Sequence, residues 1–168
     1  MFNGDGIPEN KPEALRYLKI AADRGDVVSM SHYGMYLCKG EYISADKKEG
    51  IKYIKMAADK GDVNSMHNYA CMLINGNGIT LNYKEALIYF KMAVDKGFSD
   101  SMVSYGEMHI NGRGVRIDKK KGSKYIKKAA DLGNVEGQFS YGLALFRGDG
   151  VPENKKEAVR YFKMSFEK

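Results

Sequence analysis

The amino-acid sequence predicts an all-α solenoid built from stacked helix-turn-helix units, and three observations lead to this prediction. A single spacing of 36 residues aligns the chain from one end to the other. Each period contains two stretches whose apolar residues recur at helical spacing. Residues that cap helices stand at the ends of these stretches. Units of this kind bury a continuous apolar core only by stacking on their neighbours.

The 36-residue period is carried mainly by tyrosine and glycine. Nine of the twelve tyrosines fall into two columns: Tyr17, Tyr53, Tyr89, Tyr125 and Tyr161, and Tyr33, Tyr69, Tyr105 and Tyr141. The glycines form two more: Gly25, Gly61, Gly97 and Gly133, and Gly4, Gly40, Gly76, Gly112 and Gly148. Such regular recurrence is what core packing and tight turns require. The Gly-x-Gly turns lack the preceding strand of a phosphate-binding loop, so we interpret them as connections between helices.

Each unit contains a first helix, helix A, and a second helix, helix B. In helix A, Met66, Tyr69, Ala70 and Leu73 have the i, i+3, i+4, i+7 spacing of one apolar face. Ala14 begins the same spacing in helix B. The predicted helices cover residues 10–24, 26–39, 46–60, 62–75, 82–96, 98–111, 118–132, 134–147 and 154–167.

Capping residues set the start of helix B in every unit. An aspartate or asparagine opens the helix at Asn10, Asp46, Asn82, Asp118 and Asn154. A glutamate follows three residues later in four units, at Glu13, Glu49, Glu85 and Glu157. This is a capping-box arrangement, in which the first side chain accepts from a backbone N–H and the glutamate reaches back. Lys121 breaks the pattern in one unit.

The unit resembles the Sel1-like repeat, a relative of the tetratricopeptide repeat. The family pattern is matched by Ser29, Tyr33, Gly34, Leu37, Gly40, Ile43, Asp46, Tyr53, Ala57, Ala58 and Gly61, with the leucine and tyrosine of helix A exchanged. The resemblance implies a right-handed α-solenoid whose helices A line the concave surface, and a role as scaffold or adaptor. Some bacterial members are reported to act as β-lactamases, but those carry a cysteine pair in each repeat. This chain does not, so we predict no enzyme.

The repeat register predicts one array over residues 1–168. It consists of a partial unit, 1–25, followed by units 26–61, 62–97, 98–133 and 134–168. Neither end has the polar cap that solenoids normally carry. We therefore expect the chain to be part of a longer protein, or to associate end to end through surfaces that include Tyr17, Phe162 and Phe166.

Composition favours a folded protein, and we expect it to bind no metal or cofactor. Hydrophobic residues make 43% and charged residues 29% of the 168. No apolar stretch is long enough to span a membrane, and no secretory signal begins the sequence. Cys38 and Cys71 occupy different columns, so we expect free thiols and a cytoplasmic location, although a parent protein could carry a targeting signal. His32, His67 and His109 lack metal-ligand spacing, and we expect His109, which replaces a helix-A leucine, to be partly buried with one hydrogen bond.

Variable positions on helix A predict the partner-binding surface, because columns that need not stack are free to differ between units. We call this set the helix-A face: Val28, Asn64, Asp100 and Glu136; Ser31, His67, Val103 and Phe139; and Met35, Cys71, Glu107 and Leu143. Spacings of three and four residues place the columns on one side of the helix. Apolar residues beside acids suit a peptide with a bulky apolar anchor and a basic residue. Unselected surface and contact between repeats is the other interpretation.

A lysine-rich helix predicts an alternative function. Helix 118–132 carries Lys119, Lys120, Lys121, Lys124, Lys127 and Lys128, and the chain has a formal net charge of +6. This basic patch suits an acidic surface or nucleic acid. It lacks the interleaved exposed aromatic residues of single-strand binders, and a solvated helix face is the plainer interpretation.

Overall fold

The computed structural model describes residues 11–167, which fold into α-helices without a strand. The helices are α1 (Lys11–Asp23), α2 (Val27–Lys39), α3 (Lys47–Asp59), α4 (Val63–Asn75), α5 (Tyr83–Asp95), α6 (Ser99–Asn111), α7 (Lys119–Asp131), α8 (Val135–Arg147) and α9 (Lys155–Phe166). Even-numbered helices are helices A and odd-numbered ones helices B. The predicted all-α repeat solenoid is confirmed, and every predicted helix end lies within one residue of the observed one. The predicted cap Asn10 and Gly4 lie outside the described residues.

The predicted caps open the described helices B after α1. Asp46 accepts from the backbone N–H of Glu49 at 2.9 Å, and Asn154 accepts from that of Glu157 at 3.0 Å. Asp118 makes the same bond to Lys121 at 2.8 Å. The acceptor half of the capping box therefore survives in the unit where lysine replaces the glutamate.

The turn between helices A and B closes on one repeated backbone hydrogen bond. The N–H of the capping residue donates to a carbonyl nine residues earlier in helix A. The distances are 3.0 Å for Asp46 to Leu37 and 2.9 Å for Asp118 to His109. Asn154 donates to its helix-A partner at 2.9 Å. This bond fixes the end of helix A beside the beginning of helix B in each of these turns.

Helices A and B cross with their backbones in contact where both carry glycine. A methyl group added at Gly50 would lie 2.6 Å from the carbonyl oxygen of Gly34. One added at Gly122 would lie 2.5 Å from the carbonyl oxygen of Gly106. Those distances are shorter than any real contact of a methyl group, so the two crossings require the absence of a side chain.

The contacts of the chain divide it into two compact units that are larger than a single repeat. The first unit ends at Tyr69, and the second unit begins at Ala70. The core of the first contains Leu15, Ala22, Met30, Tyr33, Leu37, Tyr53 and Ala57. The core of the second contains Ile126, Ala130, Tyr141, Ala144, Leu145, Ala158 and Tyr161. Tyrosines of the two columns meet edge to face in both units, with ring centres 5.1 Å apart for Tyr33 and Tyr53 and 4.8 Å apart for Tyr141 and Tyr161. The tyrosine columns are thus mainly core, except that Tyr17 is 62% exposed.

Adding one methyl group at the α6–α7 crossing should destabilise the protein. We expect Gly122→Ala to lower the free energy of unfolding by about 1–3 kcal/mol, the usual cost of overpacking, although alanine has the higher helix propensity. Lys124→Ala on the exposed side of the same helix is the control and should change stability by less than about 0.5 kcal/mol. Urea titration measures both. Equal effects of the two substitutions would show that the helices move apart at no cost.

Candidate functional site

The first column of the helix-A face is open to solvent. Val28 is 60% exposed, and Asn64, Asp100 and Glu136 are also exposed. Asp100 accepts a hydrogen bond from the side-chain amide of Asn134 at 2.5 Å. This bond holds the carboxylate at the surface, where another molecule can reach it.

The second column of the helix-A face lies against neighbouring helices, and the prediction for Val103 is wrong. In the first unit, Ser65 Oγ on α4 donates to Ser31 Oγ on α2 at 2.8 Å. In the second unit, Val103 is only 1% exposed, because α6 also contacts α8. Phe139 packs against Phe162, with ring centres 5.6 Å apart, and remains 42% exposed. Side chains of this column therefore pack against neighbouring helices of both kinds, and Val103 is removed from the accessible surface.

The third column of the helix-A face is half open. Met35 is partly buried, and its Sδ lies 3.8 Å from the amide nitrogen of Asn68. His67, on the second column, and Cys71 are also partly buried. In the second unit, Glu107 and Leu143 line a groove of about 140 Å³ beside α6 and α8. An apolar side chain and a carboxylate therefore line one groove.

Negative charge accumulates on the helix-A face of the second unit. Burial, together with the charges of Glu136 and Asp100, raises the pKa of Cys71 to about 11. The thiol is therefore neutral near pH 7 and a poor nucleophile. Loss of solvent around Glu107 raises the pKa of that carboxyl although the side chain stays accessible, and Glu136 raises it further while Arg113 opposes the effect. These carboxylates repel one another, and a bound cation would relieve that repulsion.

The lysine column on helices B forms ion pairs within α1, α3, α5 and α7. Lysine and aspartate four residues apart form ion pairs in Lys19–Asp23, Lys55–Asp59, Lys91–Asp95 and Lys127–Asp131, with N–O distances of 2.8, 2.8, 2.5 and 2.8 Å. Tyr53 donates its hydroxyl hydrogen to Asp23, so a pair on one helix B also contacts the next helix B. In the basic patch, Lys119 reaches Asp149 at 2.7 Å.

The rest of the basic patch divides between aromatic contacts and solvent. The ammonium groups of Lys121 and Lys128 lie 5.6 and 5.4 Å from the centres of tyrosine rings. Lys120 and Lys124 are exposed. The helix therefore presents less unpaired charge than its six lysines suggest.

His109 differs from its prediction in both burial and bonding. It is 2% exposed, and neither ring nitrogen has a hydrogen-bond partner among the described residues. Its ring packs edge to face on Tyr105, with centres 4.7 Å apart. The ring packs in the space that leucine fills in other units, which leaves its nitrogens without partners. Arg116 and Lys121 line the same pocket, a clustering that the sequence analysis missed, although each position is a departure from the repeat in this one unit.

The described residues contain no group of three or more histidine, cysteine or acidic side chains arranged to hold a metal ion. Neither Cys38 nor Cys71 forms a disulfide bond with another described residue. Within residues 11–167, no helix has both the length and the apolar character needed to cross a membrane.

Comparison with known proteins identifies the repeat. The family model described as the Sel1 repeat matches residues 1–26, 27–62, 63–98, 99–134 and 135–168. A Sel1 repeat protein from Oxalobacter formigenes superposes with a TM-score of 0.92 at 25% identity, over 96% of this chain and 64% of that protein. The protein c5321, a protective antigen of uropathogenic Escherichia coli strains with an SLR fold, gives 0.93 at 26% identity, over 99% of this chain and 36% of that protein. No curated protein gives a significant match.

Removing the charge of Glu107 should stabilise the protein in a pH-dependent way. Because folding raises the pKa of this carboxyl, the folded state binds its proton more tightly, and its contribution to stability falls as pH rises through that pKa. We expect Glu107→Gln to raise the melting temperature at pH 7 and to have almost no effect at pH 4. Glu41→Gln, on an exposed turn, is the control. A gain that is the same at both pH values would contradict this explanation.

Proposed function

Because the chain belongs to the Sel1 repeat family, we propose that it acts as a scaffold that holds a segment of a partner protein on the helix-A face. Proteins of this family are generally scaffolds for protein interactions, and their fold is typical of non-enzymatic repeat proteins. The chain spans 64% and 36% of the two relatives described above. The proposal therefore concerns the surface that these repeats present, whatever a longer protein adds.

The acidic part of the helix-A face in the second unit is the single observation that carries this proposal. Asp100, Glu107 and Glu136 are exposed on α6 and α8, and the half-buried Leu143 lies in the groove beside Glu107. A segment with a lysine or arginine next to a bulky apolar residue matches this surface in charge and polarity. Phe139 adds exposed apolar area on the same helix as Leu143.

The basic patch supports the alternative partner, an acidic surface or nucleic acid, less well. One lysine of the patch pairs with Asp149 and two others lie over tyrosine rings, so fewer ammonium groups on α7 are open to a partner. Exposed ion pairs contribute little to stability, so these lysines can still exchange partners. We therefore keep the alternative as an outcome of the experiment.

Selection from a random peptide library displayed on phage tests the proposed surface. We expect the immobilised chain to enrich peptides that combine a basic residue with a bulky apolar one. The double variant Glu107→Gln/Glu136→Gln should weaken binding of an enriched peptide about tenfold or more, the effect of lost charged hydrogen bonds.

The matched control is Glu41→Gln/Glu153→Gln, which removes two exposed carboxylates from turns and should leave peptide binding unchanged. Equal weakening by both double variants would show that the net charge of the protein, and not the helix-A face, determines peptide binding. Enrichment of acidic peptides that stop binding to a Lys120→Glu/Lys124→Glu variant would favour the basic patch instead.

Exposed apolar side chains on the first and last described helices support end-to-end self-association. Phe166 is 77% and Val159 51% exposed on α9, and Tyr17 is 62% exposed on α1. Such surface tends to associate with another copy or with a following repeat.

We expect the sedimentation coefficient of the chain to rise with concentration and the rise to disappear in Phe166→Ser. Ser104→Ala, a substitution of a half-buried residue on α6, is the control and should sediment like the parent chain. Concentration-independent sedimentation of the parent chain as a monomer would end this proposal.

A further inference from the structure

The buried imidazole of His109 marks a position where this repeat departs from the others. The side chain is 2% exposed and both ring nitrogens lack a partner among the described residues. In the other repeats the same position holds Leu37, Leu73 and Leu145, which need no hydrogen bond. A buried polar group without a partner costs free energy, and the repeat fold does not require this one, because leucine fills the position elsewhere.

His109 lines an open pocket of about 470 Å³ at the junction of α6 and α7. The other lining residues are Val115, Arg116, Ile117, Asp118 and Lys121. The backbone hydrogen bond from Asp118 to the His109 carbonyl fixes the two sides of the junction. His109 therefore forms one side of the pocket, which opens to solvent beside the first turn of α7, a helix of 13 residues.

Three departures from the repeat meet in this pocket, and all of them add hydrogen-bond donors. Arg116 stands where the other turns have Ser44, Thr80 and Pro152. Lys121 stands where the other helices B have glutamate. Together with His109, they replace apolar, neutral or acidic residues in one unit only. Substitution toward donors at three positions of one pocket favours an anionic ligand.

The charges around the pocket agree with this. Two cations, Arg116 and Lys121, face one carboxylate, Asp118, whose Oδ1 accepts from the backbone N–H of Lys121 at 2.8 Å. Burial lowers the pKa of His109, and Lys121 lowers it further while Asp118 opposes the effect. The imidazole is therefore neutral near pH 7 and offers one N–H donor. The ring of Tyr105 packs on His109 and also lies below the ammonium group of Lys121, 5.6 Å from it.

We propose that this pocket binds an oxyanion, a phosphate or a carboxylate group, through His109, Arg116 and Lys121. The guanidinium group of Arg116 pairs with two oxygens of the anion, and Lys121 acts as a point charge. Both ring nitrogens of His109 are covered in this structure, so binding of the anion includes a turn of the ring that brings its N–H to the pocket. The positive end of the α7 dipole adds to the attraction. The site is separate from the helix-A face, so either can fail without the other.

Titration with inorganic phosphate and with acetate, followed by amide nitrogen–proton NMR spectra, tests the proposal. Both titrations are run at pH 7 and at constant ionic strength set with sodium chloride, which removes general screening effects. We expect saturable shifts of the backbone amides of residues 115–121 with at least one of the two anions. The anion that produces them identifies the group as phosphate or carboxylate.

Two variants restore the residues of the other units and therefore keep the fold. We expect His109→Leu and Lys121→Glu each to weaken anion binding about tenfold or more, as the loss of a hydrogen bond to a charged group does. Lys156→Glu makes the same change of charge at an exposed position of α9, outside this pocket, and should leave binding unchanged. The proposal is overturned if neither anion produces saturable shifts, or if Lys156→Glu weakens binding as much as Lys121→Glu.

Discussion

The close crossing of helix A over helix B is the contact on which the rest of each unit depends. At Gly34 with Gly50, and at Gly106 with Gly122, there is no room for a methyl group between the backbones. Such an approach lets the turn that follows helix A bring its capping residue back to a helix-A carbonyl. It also places the two tyrosine columns edge to face. The equivalent positions in the other repeats hold Ala70 and Ala86, or Gly142 and Ala158. Both columns that form the crossing therefore contain only glycine and alanine.

The same geometry decides which positions can vary without loss of stability. Residues beside the crossing are buried in both units, and their columns are uniform. The outer side of helix A is less constrained, and there the sequence changes from Val28 to Asn64, Asp100 and Glu136. The acidic residues in the second unit cost folding free energy. Glu107 shows this, because lost solvation and the charge of Glu136 raise its pKa. A cost of that kind is typical of surfaces that are completed by another molecule.

Local signals in the sequence were enough to predict the helices, whereas the exact surface of helix A was not predictable from them. Caps such as Asp118 and left-handed glycines such as Gly112 act within a few residues, so helix ends were predicted to within one residue. The three columns of the helix-A face, by contrast, span only about 60° of the helix circumference. Val103 lies at one edge of that arc and is covered where α6 contacts α8. The contact between successive helices A depends on the tilt of one unit on the next, which no periodicity within a unit encodes.

Repeats also provide an internal reference that a single-copy domain lacks. A lone histidine on an apolar helix face is usually interpreted as core packing, and His109 alone supports no more than that. The other units show, however, that the fold needs only a leucine there, with glutamate in place of Lys121 and a small uncharged residue in place of Arg116. Because the repeat fold requires none of the three changes and the pocket brings them together, their common chemistry is better explained by a ligand than by packing.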